Sequence, residues 1–251
     1  MKRYWIMAVL CLLLMGCAKT ESVEPTPTET EPVTEVVTAA PTQLPTEAPT
    51  EMPAEVLTEA PTEPPTEPED GELVRIIDYI PSAREELAYA SEENFTGQRI
   101  YDFYNAYLRY GTVKKLAAAS GELEEMGYGI LIWDGFRPVS AQAALWEICP
   151  NEKYVSHPVK GTRAHCRGNA VDLTLCDLET GEKLEMPTGF DDFSALADRN
   201  YGDCTDTVAE NARLLERVMK KHGFKPYSAE WWHYTDTDSY PVAEDFEPPV
   251  G

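Results

Sequence analysis

Four side chains have the types and the spacing for metal-assisted hydrolysis. His165 lies seven residues before Asp172 in the run His165-Cys166-Arg167-Gly168-Asn169-Ala170-Val171-Asp172. Gly168 permits a sharp turn between them, so both side chains can converge. His233 follows in Glu230-Trp231-Trp232-His233. Two imidazoles and one carboxylate make a three-ligand set for zinc that leaves a fourth position for water. A glutamate nearby that is not a ligand, Glu230, is the natural base for that water. The same donor types serve facial-triad iron oxygenases, but the usual His-x-Asp spacing is absent here. The other two histidines read as structural. His222 sits beside Gly223 at a helix end, where it complements the helix dipole. His157 precedes Pro158 in a loop and reads as a surface residue.

The elements that must position these groups follow from the hydrophobic pattern. Val113, Leu116, Ala117, Leu123 and Met126 recur at near-helical spacing between Thr112 and Gly127, which predicts a helix. Tyr128 to Trp133 reads as a short apolar strand, and Asp134-Gly135-Phe136-Arg137-Pro138 as a turn. Ser140 is placed to cap a helix running to about Cys149. From Ala170 to Leu175 the pattern alternates, with Val171, Leu173 and Leu175 facing the core. Asp172 then looks onto a polar surface. Thr207-x-x-Glu210 is a capping-box signature opening a helix through Ala212, Leu215, Val218 and Met219. Ser228 to Thr235 reads as an aromatic strand. In a regular strand residues 230 and 233 face opposite ways, so an irregular strand end with a bulge is expected there. Helices and strands mix without βαβ regularity, which predicts an α+β domain.

Three separated motifs resemble one family. They are Trp133-Asp134-Gly135-Phe136-Arg137-Pro138, His165-x-Arg167-Gly168-x-Ala170-x-Asp172-Leu173-Thr174-Leu175 and Glu230-Trp231-Trp232-His233-Tyr234. In this order they resemble the zinc D-alanyl-D-alanine dipeptidases of the vancomycin-resistance type. Tyr89 with Asn94-Phe95-Thr96-Gly97, and Phe190-Asp191, are similar too. The resemblance covers roughly residues 85–240 and implies the fold shared with DD-carboxypeptidases and the hedgehog signalling domain: a small mixed or antiparallel sheet flanked by helices. It implies His165, Asp172 and His233 as zinc ligands and Glu230 as general base and acid. It implies Arg137 at the developing oxyanion, where a guanidinium stays charged and offers aligned donors. Tyr89 and Asp191 would hold the substrate's amino end. The structural alternatives are a packed aromatic for Tyr89, an exposed cap for Asp191 and a turn salt bridge for Arg137. One departure stands out: Arg163 occupies a position where the family pattern carries Ser.

Composition sets the surroundings. The chain has 251 residues and a formal charge of −23. A polybasic nucleic-acid binder is excluded on that ground. Lys2 and Arg3 precede an apolar run from Ile6 to Met15, too short to span a bilayer and suited to a signal peptide over 1–16. The run ends in Leu14-Met15-Gly16-Cys17, which resembles the lipobox of bacterial lipoproteins, with Cys17 as the lipidated residue. Residues 18–70 contain no aromatic and no Gly, 11 of the 20 Pro, and one Lys against 13 acidic residues. Such a segment cannot offset the entropy of ordering, so 17–70 reads as a disordered, lipid-anchored tether. Residues 71–251 are one domain's worth of chain. Four cysteines fall in it (Cys149, Cys166, Cys176 and Cys204), and an exported, even-numbered set permits disulfides. Cys166, beside His165, is also conceivable as a fourth metal ligand.

The expectation is therefore a zinc metallopeptidase on the extracellular face of a bacterial membrane, cleaving D-Ala-D-Ala in wall-peptide turnover. The alternatives are a zinc DD-carboxypeptidase or endopeptidase trimming peptidoglycan stem peptides, and a non-catalytic wall-binding module.

Overall fold

The computed structural model describes residues 66–250. The signal peptide, Cys17 and nearly all of the tether lie outside the described residues. Eleven regular elements follow in order: β1 Leu73–Arg75, β2 Arg84–Glu85, β3 Tyr107–Arg109, α1 Tyr110–Glu124, β4 Tyr128–Asp134, α2 Val139–Ile148, α3 Ala164–Arg167, β5 Ala170–Asp177, α4 Asp206–Lys221, β6 Phe224–Tyr227 and β7 Glu230–Asp236. The main sheet is mixed and runs β2-β4-β5-β7-β6, with only the β2–β4 pair parallel. Strands β1 and β3 make a separate antiparallel pair. No helix among the described residues is long and apolar enough to cross a membrane.

Helices α1 and α4 pack together and against the sheet. The apolar stripe of α4, Ala209, Ala212, Leu215, Val218 and Met219, is buried while its opposite face is charged, as a 3.6-residue period requires. Its N-cap is Thr205, whose hydroxyl accepts from the Val208 N–H at 3.4 Å, so the cap lies two residues before the expected Thr207 and, with Val at N3, no capping box closes. Likewise α2 starts at Val139 after Pro138, and Ser140 does not cap it. Pro fixes φ near the helical value and so can open a helix without a side-chain cap. The strand expected to have one polar face, β5, is buried on both. Helices α3 and α4 both pack against it.

Candidate active site

The sheet register builds the centre of the site. Asp172 on β5 pairs directly with His233 on β7 and with Asp134 on β4, so three polar side chains form one row across three strands. The β4–β5 register shifts between Ile132 and Asp134. The β6–β7 ladder breaks between Pro226 and Tyr227, where Tyr227 pairs with Glu230 and Pro226 with Tyr234. This is the expected irregularity. It turns Glu230 to the same side as His233, with its Oε2 3.9 Å from His233 Nδ1. Arg199, not singled out in the sequence, holds the bend. Its Nη2 donates to the carbonyls of Glu230 (3.1 Å) and His233 (3.0 Å), and its guanidinium lies over the Tyr234 ring.

His165 comes from the one-turn helix α3. Gly168 ends that helix at φ +71°, and a Cβ there would meet Leu73 Cδ2 at 2.5 Å. This is the sharp turn that lets residues 165 and 172 converge. A strap over 237–247 crosses α3. Arg167 Nη1 donates to the Tyr240 carbonyl (2.7 Å), Arg109 Nη2 to that of Pro241 (2.8 Å) and the Ala243 N–H to that of Cys166 (2.9 Å). Phe246 closes the strap edge-on against Tyr107 and Phe136.

One ligand atom each from His165, Asp172 and His233 lies within 4.8 Å of the other two. His165 Nε2 is 3.3 Å from His233 Nδ1 and 3.3 Å from Asp172 Oδ2, and His233 Nδ1 is 2.9 Å from Asp172 Oδ1. Two nitrogens each about 2.0–2.1 Å from one tetrahedral zinc stand roughly 3.3 Å apart, so the imidazole spacing fits that ion. The outer nitrogens are also engaged. His165 Nδ1 sits 2.8 Å from the Gly135 carbonyl and His233 Nε2 sits 3.0 Å from Thr235 Oγ1. Donation at these outer atoms leaves Nε2 and Nδ1 respectively as the free lone pairs, which is how metal-binding imidazoles are oriented. Burial pushes the His165 pKa down, so its neutral, ligating form is favoured. Burial acts the same way on His233, but the Asp172 carboxylate outweighs it and raises that pKa. The buried Asp172 is itself held below the usual carboxylate range: burial works against this, and the two imidazoles prevail.

The other predicted residues line the same cavity of about 530 Å³. Burial raises the Glu230 pKa to about 7, the range that suits a group which must both take and return a proton. Arg137 is buried and locked from beneath. Its Nη2 and Nε bond Asp134 Oδ2 (2.6 and 3.1 Å), and its Nη1 bonds Gln142 Oε1 (3.0 Å). Tyr101 also donates to Asp134, at 2.8 Å. The turn salt bridge leaves Arg137 donors for a further contact, because a guanidinium has five N–H donors and the lock uses three. Tyr89 donates to Asp191 Oδ2 at 2.6 Å, and its ring lies under Arg137. Asp191 is neither exposed nor a simple cap. Its backbone is left-handed at φ +54°, and burial drives its pKa to about 8. A non-glycine residue held there carries strain of order 1 kcal/mol or more.

Two histidines stay outside the chemistry. His222 Nε2 pairs with Glu122 at 2.6 Å, and His157 Nδ1 accepts the N–H groups of Val159 and Lys160 (3.1 and 3.2 Å). Cys149, Cys166, Cys176 and Cys204 are free thiols, so no disulfide forms among the described residues. Cys166 does not join the metal cluster.

The fold and site agree with the comparisons to known proteins. Residues 69–247 match the Peptidase_M15 family model, described as D-ala-D-ala dipeptidase. The D-alanyl-D-alanine dipeptidase of Escherichia coli (strain K12) is 35% identical over 176 residues, spanning 69% of this chain and 90% of that protein. Those of Enterococcus faecalis (33%; 65% and 91%) and Streptomyces coelicolor (34%; 66% and 91%) align over 186 residues each. The chain belongs to the peptidase M15, D-Ala-D-Ala dipeptidase, family.

Proposed function

From membership of the D-Ala-D-Ala dipeptidase family, we infer that the chain is a zinc metallopeptidase that hydrolyses D-alanyl-D-alanine. The observation that carries this reading is the convergence of His165, Asp172 and His233 with the unliganded Glu230 alongside. His165 Nε2, an oxygen of Asp172 and His233 Nδ1 would hold the ion, which supplies Lewis acidity toward water and the scissile carbonyl. Glu230 Oε2 takes the proton of the attacking water and returns it to the leaving amine. Arg137 has two N–H donors left over from its lock, and these serve the carbonyl oxygen as charge develops. The substrate's ammonium is held by Asp191 and Tyr89. Asp191 ionises as the ammonium arrives, because an opposite charge offsets the burial that keeps it neutral.

The location belongs to the same proposal. Lipidation at Cys17 would anchor the chain on the extracellular face of the membrane. The Pro/Thr/Glu-rich arm over 17–70 would carry the 71–251 domain into the cell wall, where released wall peptides are turned over. Arg163 at the cavity mouth favours a second reading, a DD-carboxypeptidase or endopeptidase on stem peptides, and the enclosed Asp191–Tyr89 pair opposes it. Mass-spectrometric product analysis of the zinc-loaded chain on free D-Ala-D-Ala and on a stem pentapeptide separates the two. Cleavage of the dipeptide is expected; cleavage of the pentapeptide alone overturns the dipeptidase reading. A Glu230→Ala form that hydrolyses as well as the native chain would leave the wall-binding module.

A further inference from the structure

The lysines divide into two groups. Five of the eight described lysines form ion pairs: Lys114 with Asp70, Lys115 with Asp236 and Asp238, Lys183 with Glu86, Lys220 with Glu216 and Lys221 with Glu122. The three that pair with no carboxylate among the described residues are Lys153, Lys160 and Lys225, and all three line the catalytic cavity. Each is exposed, so each ammonium can move and face the opening. Every described lysine outside the mouth thus finds a carboxylate to pair with. At the mouth this pattern fails: against the three lysines stands one exposed rim carboxylate, Glu152. Arg163 adds a fourth cation there, with its single ion pair to the exposed Glu244 at 3.3 Å. The carboxylates that the cavity does contain, Asp172, Asp191 and Glu230, belong to the metal, ammonium and proton chemistry of its floor.

A ring of one sign around a concave, low-dielectric site focuses its field outward and concentrates ligands of the opposite sign. D-Ala-D-Ala is a zwitterion of zero net charge and gains little from such a ring. We propose that Lys153, Lys160 and Lys225, with Arg163, form an anion-selecting rim, and that the preferred substrates are D,D-peptides carrying a carboxylate beyond the terminal one. This inference rests on the dipeptidase reading and names the substrate class within it. The rim acts on capture, so it changes kcat/KM rather than kcat, and salt screens it because the lysines are exposed.

The test compares D-Ala-D-Glu with its uncharged isostere D-Ala-D-Gln on the zinc-loaded full chain. Expected at low ionic strength is a preference of about tenfold in kcat/KM for the glutamate form. The preference should collapse toward unity in ~1 M salt. It should also vanish in the triple variant Lys153→Gln, Lys160→Gln, Lys225→Gln, whose zinc content and circular dichroism show that it is folded. The same pair is titrated by calorimetry into zinc-loaded Glu230→Ala, which reads binding without turnover. Equal kcat/KM and equal affinity for the two ligands, or a preference that survives the triple variant, overturn the rim. Failure of the native chain to cleave any D,D-dipeptide overturns the dipeptidase reading instead. In that case a Glu-over-Gln binding preference lost with the three lysines still carries the rim.

Discussion

The cavity has two walls built on different principles. One is strand-borne: Asp172 and His233, backed by the buried Asp134 in the same row, with Glu230 turned in by the break in the β6–β7 ladder. The other is carried by connecting chain: Tyr89 on a single 3-10 turn over Ala88–Ala90, Asp191, and the segment that includes Lys153, Lys160 and Arg163. In the first, adjacent strands fix side-chain spacing through hydrogen-bonded register, which suits groups that must share an ion or a proton. In the second, single residues sit on connecting chain, two of them, Arg163 and Asp191, at left-handed backbone angles, which suits contacts that distinguish substrates. Chemistry is assigned to the rigid wall and discrimination to the adaptable one.

The largest effect that sharpens this contrast is loss of a strand-borne ligand. Asp172→Asn or His233→Ala should abolish both zinc retention and turnover, measured by metal analysis and by dipeptide hydrolysis. Next, Glu230→Ala should keep the metal and lose about 10²–10⁴ in rate. In the native chain the rate should rise with pH through about 7, because Glu230 must be ionised to accept the proton, and the variant should lose that limb. Smaller is Arg199→Met, which strips two carbonyls of a charged donor. It should cost about 1–3 kcal/mol in unfolding free energy and lower kcat while zinc content stays intact, since the ligands remain.

A change on the loop wall should behave differently. Asp191→Asn should weaken the free dipeptide about tenfold in KM with metal content unchanged. Its effect on stability should have the opposite sign. Asp191 binds its proton more tightly folded, at about 8, than unfolded, so metal-free native stability falls as pH rises between the carboxylate range and 8. The asparagine variant should therefore show a flatter decline, read as Tm against pH. A loop variant that lost zinc, or a strand variant that changed only KM, would break the division. Smallest of all, removing residues 18–65, and so sparing the Asp70 that pairs with Lys114, should leave hydrolysis of soluble dipeptides unchanged.

How far the site could be read in advance follows from the same division. His165, Asp172, His233 and Glu230 were legible because few residue types bind metal or carry protons, and their motifs are compact. The bulge at Glu230 was legible as a parity conflict. A turn salt bridge at Arg137 was legible too, but the second anchor, Gln142 on α2, was not, because nothing in the spacing aims that amide at the guanidinium. Arg199 was invisible for a similar reason: a cation serving backbone carbonyls has no sequence spacing to announce it. The cap of α4 slipped from Thr207 to Thr205 because both positions carry the same side chain and the turn geometry chooses between them. The ion-pairing status of lysines is a property of neighbours in space, so the cationic rim had no one-dimensional signal at all.

The strap over α3 carries a consequence for assembly. The short helix that carries His165 is tied through Arg167 and Cys166 to backbone groups in the 237–247 stretch, far downstream of it. Contacts of such long sequence separation form late in folding. A nascent or half-folded chain would thus present an unseated imidazole and a poor trap for stray cations, and the centre would become competent for its ion only as the final stitch is drawn.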